Sequence, residues 1–318
     1  MTSDNQAAGF LAIGGVKVGH WTDEDAGTGC TVILFDPPAC CGVGIRGSAP
    51  GTRETALLAP TASVNRIDAI VLTGGSALGL AAASGVAAAL REAGTGYEIY
   101  FAPIPIVPAA VIYDLGVGGT GWPDESAGRA ACLAASHLDF AVGNVGAGTG
   151  ATAGAGPFGT KTGIGVSTLT DGDLRVSALI VPNPIGSILG EDGTILAGQL
   201  HRGRPVSPEK VLEHIGALRS VENTVIGCVV TNARLDKSGA TRVAQMSHDG
   251  LDRAVRPSHT ARDGDTLFCA SVANVTIDAD LSLVDDLAAR AVTGAIRNGA
   301  LAATSAHGIP SAFTLAES

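Results

Sequence analysis

The sequence predicts one compact α/β domain in which packed sheets are covered by helices. Strand-like and helix-like stretches each cluster along the chain without a steady strand–helix–strand alternation, which favours packed sheets over a doubly wound parallel sheet. Hydrophobic residues make up 46% of the 318 residues and charged residues 16%, a composition that supplies a large core and excludes a disordered chain. Because no repeat or long linker interrupts the chain, we expect a single domain over residues 1–318.

Short runs rich in β-branched and apolar residues, bounded by Gly, Asp or Pro, predict the strands. They lie at 10–20, 30–35, 40–47, 68–75, 139–148, 162–169, 174–183, 224–232 and 265–274. Helices are predicted at 76–94, 124–137, 207–218, 237–255 and 278–303. The first of these helical stretches is almost wholly Ala, Leu, Gly and Val, so we expect it to be buried on most sides.

Composition excludes several classes of partner. The net charge is −10 and aromatic residues make up only 4% of the chain, so we expect no nucleic-acid partner. Six cysteines occur without a CxxC pair, which indicates small buried residues of a reducing compartment instead of a zinc site or a disulfide framework. The N-terminus lacks signal-peptide features and the most apolar segments are too short or too broken to cross a bilayer. We therefore expect a cytoplasmic protein with no membrane partner.

Two glycine patterns resemble nucleotide-binding motifs by letter alone. Gly42-x-Gly44-x-x-Gly47 matches the dinucleotide fingerprint, but a loop sequence follows it where a helix is required. Gly154 to Lys161 nearly spells a phosphate-binding loop, with one residue too many before the lysine. We expect no organic cofactor and no metal.

Ser76 follows a predicted buried strand and opens a helix, which is the setting of a nucleophile elbow. That motif needs Gly two residues after the serine, and position 78 is Leu. We therefore favour a helix-capping role for Ser76 and keep the serine nucleophile as the weaker alternative.

The pair Asn223-Thr224 stands where a β-branched run begins. It is either a turn residue followed by a strand residue, or a bond that is cut to leave Thr224 as a nucleophilic N-terminus. Downstream, Asp263 and Asp265 straddle a glycine just before another apolar strand, as in a plain turn or as two carboxylates aimed at a neighbouring strand end. If the two strands pair, the carboxylates and the threonine share one corner. Asn183 lies between two prolines, either as a turn residue or as a rigid amide donor.

The histidines lack metal-ligand spacing, and none is near a serine beside an oxyanion loop. An amide hydrolase built on this chain therefore needs another base, and a freed α-amine can supply one.

Seven blocks occur in order: LTGGSALGL, VIYDLG, GNVGAGTGAT, VPNPIG, ENTVIGCVVTN, HDGLDRAVRP and DGDTLF. This series resembles the DmpA-type aminopeptidase and nylon-oligomer hydrolase family of self-processing N-terminal-nucleophile hydrolases, from about residue 10 to about residue 305. The resemblance implies a four-layer αββα sandwich of the type shared with ornithine acetyltransferases. It also implies an active homotetramer of processed chains.

The closer likeness is to the 6-aminohexanoate-oligomer endohydrolase branch, which cuts itself between Asn and Thr and carries the Asp-Gly-Asp turn. By motif position, cleavage after Asn223 gives a large chain 1–223 and a small chain 224–318. Thr224 would be the nucleophile, with Asp263 and Asp265 orienting and polarising it. Asn183 would donate to the oxyanion and Tyr113 would line the site.

One position departs from that branch. Its catalytic lysine follows the glycine-rich loop where this chain has Gly154-Ala155, and the nearest lysine is Lys161. Either Lys161 enters the site or the enzyme works without that lysine. The expected substrate is a linear amide such as a 6-aminohexanoate oligomer. The alternatives are an aminopeptidase or β-peptidyl aminopeptidase that uses the same Thr224, and an uncleaved binding protein that retains the fold.

Overall fold

The computed structural model describes residues 3–216, 222–272 and 276–316. Its strands are β1 (Val16–Asp23), β2 (Thr28–Ile45), β3 (Thr52–Arg53), β4 (Ile67–Thr73), β5 (Ala109–Val111), β6 (Thr152–Ala153), β7 (Thr160–Lys161), β8 (Gly165–Asp171), β9 (Leu174–Val181), β10 (Ser187–Leu189), β11 (Ile195–Ala197), β12 (Leu200–His201), β13 (Arg204–Pro205), β14 (Ile226–Thr231), β15 (Val255–Arg256) and β16 (Thr266–Ser271). Its α-helices are α1 (Ser3–Leu11), α2 (Ala82–Glu92), α3 (Glu125–Leu133), α4 (Val211–Gly216), α5 (Lys237–Met246), α6 (His248–Ala254), α7 (Leu281–Ala302) and α8 (Ala312–Ala316).

The long strand β2 belongs to two sheets. Its first half pairs antiparallel with β1 and β4, and β4 continues to β5 and β3. Its second half pairs antiparallel with β16, and this sheet continues in the order β16-β14-β9-β8. β14 and β16 are parallel to each other and lie in the middle of the second sheet.

Three apolar clusters separate four layers. The cluster between the sheets contains Ile33, Ile70, Leu179, Ile226 and Phe268. A second cluster packs the first sheet against α2 and α3. A third packs the second sheet against α5, α6 and α7. The predicted αββα sandwich is therefore confirmed.

Alternation along β14 shows how one strand serves two of these clusters. Its Ile226, Cys228 and Val230 side chains lie in the cluster between the sheets, whereas Val229 packs against the helices. This is the two-residue period of a strand that is buried on both faces.

Several predicted boundaries are wrong. The stretch 139–148 contains no strand and ends in a short 3-10 helix at Gly146–Gly148, because Gly146 adopts a left-handed φ of 52° that a strand cannot continue. The runs 30–35 and 40–47 form one strand, β2, and the helical stretch 237–255 divides into α5 and α6 around Ser247. The helix predicted to residue 218 and the strand predicted to residue 274 end outside the described residues.

Across the ranges that the structure describes, no helix is both long and apolar enough to cross a lipid bilayer.

Candidate active site

Three strand ends of the second sheet meet at one edge. Ile226 at the start of β14 is paired with Thr266 at the start of β16 and with Val181 at the end of β9. β14 is parallel to β16 and antiparallel to β9, so the start of β14 lies beside the start of β16 and the end of β9. This arrangement brings together Thr224, Asp265 and Asn183.

The Asn223–Thr224 peptide is buried and held on all sides. Asn223 is 3% and Thr224 6% exposed. The Thr224 Oγ1 hydroxyl donates to the Asn223 carbonyl oxygen over 2.5 Å, and the Gly264 N–H donates to the same oxygen over 3.2 Å. The Thr224 N–H donates to the Asn183 carbonyl over 2.8 Å, and the Asn223 side-chain amide donates to two backbone carbonyls. The hydroxyl, the carbonyl and a backbone donor are thus fixed together.

Asp265 anchors the residue that follows Thr224. One of its carboxylate oxygens accepts the Val225 N–H over 2.7 Å, and the other accepts the Nδ1–H of His259 over 2.6 Å. The Asp265 side chain is 2% exposed. It therefore sets the backbone geometry of the strand entrance instead of facing solvent.

Asp263 closes the other side of the Asp-Gly-Asp turn. It accepts the Thr260 N–H and hydroxyl over 2.9 and 2.5 Å, and the Ile185 N–H over 3.3 Å. Burial, and then the negative charge of Asp265, raise the pKa of Asp263 to about 6, against the lowering effect of the Thr260 hydrogen bonds. The two carboxylates are thus close enough to resist simultaneous ionisation.

The Asn183 amide has a fixed orientation. Its Oδ1 accepts the Thr152 N–H over 2.9 Å, and its Nδ2 donates to the Tyr113 carbonyl over 3.3 Å. Asn183 is fully buried. Because Nδ2 carries a second N–H, the side chain keeps a donor for a further acceptor in the site.

A cavity of about 250 Å³ opens beside Thr224. Its lining residues are mostly small or apolar: Ala49, Pro50, Gly51, Ser76, Ala77, Val111, Tyr113, Glu222 and Thr224. Tyr113 is 39% exposed. The cavity therefore places Thr224 at the wall of a space that an outside molecule can enter.

Ser76 does not cap a helix, contrary to expectation. The short 3-10 helix Ser76–Ala81 is preceded by Gly75, and no side chain caps it. Ser76 itself has a left-handed φ of 53°, and it lines the cavity beside Thr224. Among the described residues no base is hydrogen-bonded to its hydroxyl, so the serine-nucleophile alternative lacks a partner that could activate it.

Lys161 packs against the glycine-rich loop, residues 143–152 (GNVGAGTGAT). Among the described residues it has no hydrogen bond to Thr224. It is fully buried, and its Nζ donates to the carbonyls of Gly148, Ala151 and Thr162 over 3.0, 2.8 and 2.6 Å. Burial lowers the pKa of Lys161 to about 7, although the nearby Asp114 carboxyl raises it. In this geometry Lys161 supports the loop from which Thr152 holds Asn183.

Sequence reasoning missed three groups of the site. Gly264 was treated only as the centre of a turn, but its N–H contacts the Asn223 carbonyl. Thr152 orients Asn183 from the glycine-rich loop, and His259 pairs with Asp265. The histidine could have been found from its place six residues before Asp265, in the loop that precedes the same strand.

No set of three or more His, Cys, Asp or Glu side chains with the geometry of a metal site occurs within residues 3–216, 222–272 and 276–316.

Comparison with known proteins identifies the family. The profile of Peptidase family S58 matches residues 11–312. An uncharacterized aminopeptidase of Mycobacterium leprae is 39% identical over 339 aligned residues, covering 94% of this chain and 91% of that protein. A 6-aminohexanoate-oligomer endohydrolase of an Agromyces species is 35% identical over 273 residues, covering 83% and 74%.

The solved structure of a Burkholderia β-aminopeptidase superposes with a TM-score of 0.72 at 21% identity, covering 98% of this chain and 92% of that chain. The described fold and the extent of these matches lead to one assignment. The chain belongs to Peptidase family S58 and is an amide-bond hydrolase with the fold of the DmpA-type N-terminal-nucleophile hydrolases.

Proposed function

We propose that this chain cuts its own Asn223–Thr224 bond and then hydrolyses linear amides with Thr224 as an N-terminal nucleophile. The observation that carries the proposal is the buried Asn223 carbonyl, which accepts both the Thr224 hydroxyl and the Gly264 N–H. A nucleophile and a backbone donor on one carbonyl are the parts that acyl transfer requires.

In the first reaction, the Thr224 Oγ1 attacks the Asn223 carbonyl carbon. A C–O bond forms, the C–N bond breaks, and the hydroxyl proton passes to the leaving nitrogen, so the peptide becomes an ester. The Gly264 N–H stabilises the negative charge on the carbonyl oxygen, an interaction typically worth about 3–4 kcal/mol in the transition state. Water then hydrolyses the ester and leaves an Asn223 carboxylate and a free Thr224 α-amine.

In the second reaction, the freed α-amine serves as the base. An α-amine has a reference pKa of about 7.7–8.0, so an appreciable fraction is unprotonated near neutral pH. The Asn183 carbonyl, which accepts the Thr224 N–H over 2.8 Å, can hold this amine beside the hydroxyl. The Asn183 Nδ2 supplies the donor for the substrate oxyanion, and a second water releases the acyl group.

Replacement of Thr224 tests the nucleophile. Thr224→Ala should remain a single chain and lose amide hydrolysis, because alanine has no hydroxyl, whereas Thr224→Ser should keep part of both reactions. Thr170→Ala, at an exposed position of the edge strand β8, is the matched control. The small fragment of the wild type should begin Thr-Val-Ile-Gly on N-terminal sequencing. A single uncut wild-type chain that is folded and hydrolyses nothing would support a binding protein instead.

We further propose that the preferred substrate is an unbranched amide such as a 6-aminohexanoate oligomer. The cavity beside Thr224 is lined by small residues such as Ala49, Gly51 and Ala77, which suit a polymethylene chain. Burial of such a chain contributes about 0.8 kcal/mol per CH₂. Ser76 and Ala77 contribute to this lining, whereas no residue of the segment 146–156 does.

A linear 6-aminohexanoate trimer, compared with alanine p-nitroanilide and a β-alanyl dipeptide, tests this preference. Faster cleavage of the aminoacyl substrates, with no attack on oligomers whose amine is blocked, would identify an aminopeptidase. That second candidate is favoured by the mycobacterial relative, whose name is that of an aminopeptidase. Both candidates use the same Thr224.

A further inference from the structure

The proposed reaction gives His259 no role, although its side chain contacts Asp265. Its Nδ1 lies 2.6 Å from Asp265 Oδ2, and its Nε2 lies 3.4 Å from Asp252 Oδ1. The imidazole ring is therefore placed between one carboxylate that is 2% exposed and another that is 55% exposed. These contacts connect the interior of the site to the surface through a single ring.

A second histidine ring packs against this one. The centroids of the His259 and His248 rings lie 4.8 Å apart, and the His248 Nε2 contacts the Gly44 carbonyl. Burial lowers the pKa of His248 to about 4, so this neighbour is neutral over the working range. Asp263 adds negative charge behind Asp265, and Arg46 acts weakly on His248. Carboxylates therefore dominate the surroundings of His259.

The backbone at His259 is strained in a way that favours a specific side chain. Its φ is 50°, in the left-handed region that β-carbon-bearing residues seldom adopt. Such strain persists where the surrounding structure requires it, often at functional sites. Here the left-handed turn directs the imidazole at Asp265, and Thr260, one residue later, directs its N–H and hydroxyl at Asp263.

We propose that His259 is a positioning residue which, by donating its Nδ1–H to one oxygen of Asp265, keeps the other oxygen aimed at the Val225 N–H. This inference rests on the proposed function, because the position of Val225 sets that of Thr224. Asp265 accepts the Val225 N–H on one oxygen and the imidazole N–H on the other, so loss of the imidazole donor would leave the carboxylate free to turn away from Val225.

Two substitutions separate the hydrogen bond from the backbone conformation. In His259→Asn the amide Nδ2 can replace the ring Nδ1 as donor, and Asn tolerates a left-handed φ better than most residues. In His259→Gly the left-handed backbone is relaxed and the donor is lost, leaving a partly exposed space that free imidazole can enter. His137→Asn, on an exposed loop, is the matched control.

The readouts are the rate of self-cleavage and the separate values of kcat and KM for amide hydrolysis. His259→Asn, which keeps the donor, should retain most of both rates with KM unchanged. His259→Gly should lose at least about tenfold in kcat, the range of a lost charged hydrogen bond, and regain part of it with imidazole. His137→Asn should match the wild type.

The inference is overturned if His259→Asn loses as much activity as His259→Gly, or if imidazole leaves His259→Gly unchanged. A third measurement does not depend on cleavage. The melting temperature of uncut Thr224→Ala should fall more with His259→Gly than with His259→Asn, and equal losses would refute the proposal. If Thr224→Ala still processes, the proposed function fails. If only the His259 variants behave like wild type, the inference fails alone.

Discussion

Lys161→Met tests whether the buried lysine supports the glycine-rich loop. Its Nζ supplies donors to three carbonyls at 2.6–3.0 Å. Leaving one buried carbonyl without its hydrogen-bond donor costs about 1–3 kcal/mol of folding stability. Leaving all three unsatisfied therefore costs about 3–9 kcal/mol. Removing a fully buried amine relieves a desolvation penalty of several kcal/mol. The net expected loss in the free energy of unfolding is therefore about 3 kcal/mol.

The chain contains a matched control for this substitution. The Lys237 Nζ likewise donates to three carbonyls, those of Leu57, Ala62 and Val64, at 2.9–3.0 Å. Lys237 is the first residue of α5, and its carbonyl partners lie outside the glycine-rich loop that orients Asn183. Lys237→Met should thus lose stability by a similar amount, about 3 kcal/mol on the same reasoning, without loss of kcat.

Urea unfolding at fixed protein concentration measures the loss of stability, and kcat is measured on the folded fraction well below the unfolding midpoint. Lys161→Met should lower kcat by about tenfold or more, because a misplaced positioning group costs catalysis even when it is remote from the reacting atoms. Lys161→Met with wild-type kcat would refute the supporting role assigned to the loop. A stability loss below about 1 kcal/mol would refute the account of the three carbonyls.

Three further predictions concern charge, backbone and assembly. The pKa of Asp263 is raised to about 6, so its protonated form stabilises the fold below its ordinary pKa and that contribution is lost as pH rises through about 6. Asp263→Asn should therefore flatten the fall in unfolding free energy between pH 4 and 7. The slope that one such group contributes is at most about 1.4 kcal/mol per pH unit. A slope equal to that of the wild type would contradict this prediction. Gly264→Ala places a Cβ 2.3 Å from the Ala49 carbonyl oxygen, so the backbone must shift and carry the Gly264 N–H with it. Self-cleavage followed on a time-course gel should therefore be slower. Cleavage at the wild-type rate would exclude that N–H as a donor. Light scattering should give the mass of a tetramer of processed chains, and a stable monomer at working concentration would contradict the proposed assembly.

The layered fold could be predicted because composition and strand ends carry local signals. β14 and β16 appear in the sequence as apolar runs with polar starts, and their pairing brings Thr224 and Asp265 together as expected. The glycine-rich stretch 139–148 was mistaken for a strand because the conformation of glycine depends on its neighbours in space. Gly146 takes its left-handed turn where a Cβ would lie 2.3 Å from the Thr31 hydroxyl, a contact that no local pattern reveals.

The parts of the site that escaped prediction act through backbone atoms or over long separations. The Gly264 N–H has no side chain to mark it, and the Thr152 N–H reaches Asn183 across 31 residues of sequence. Ser76 was assigned to a cap because Ser before a helical stretch usually caps it. Its left-handed φ places the side chain at the cavity instead, and φ depends on tertiary contacts that a single sequence does not display.

The position of β14 and β16 within the second sheet determines what a cut at Asn223–Thr224 can release. β14 and β16 follow the proposed cleavage site in the sequence. β14 is hydrogen-bonded along its length to β9, and β16 to β2, and these two partner strands precede the cleavage site. The small fragment would thus lie between strands of the large one. Its dissociation would break two complete ladders of β-sheet hydrogen bonds and expose unpaired strand edges, which promote aggregation. Cutting would yield a nicked but inseparable protein, and the chain must complete its fold while it is still continuous. Two fragments made separately would each lack the strands that complete this sheet, so mixing them should give little active enzyme.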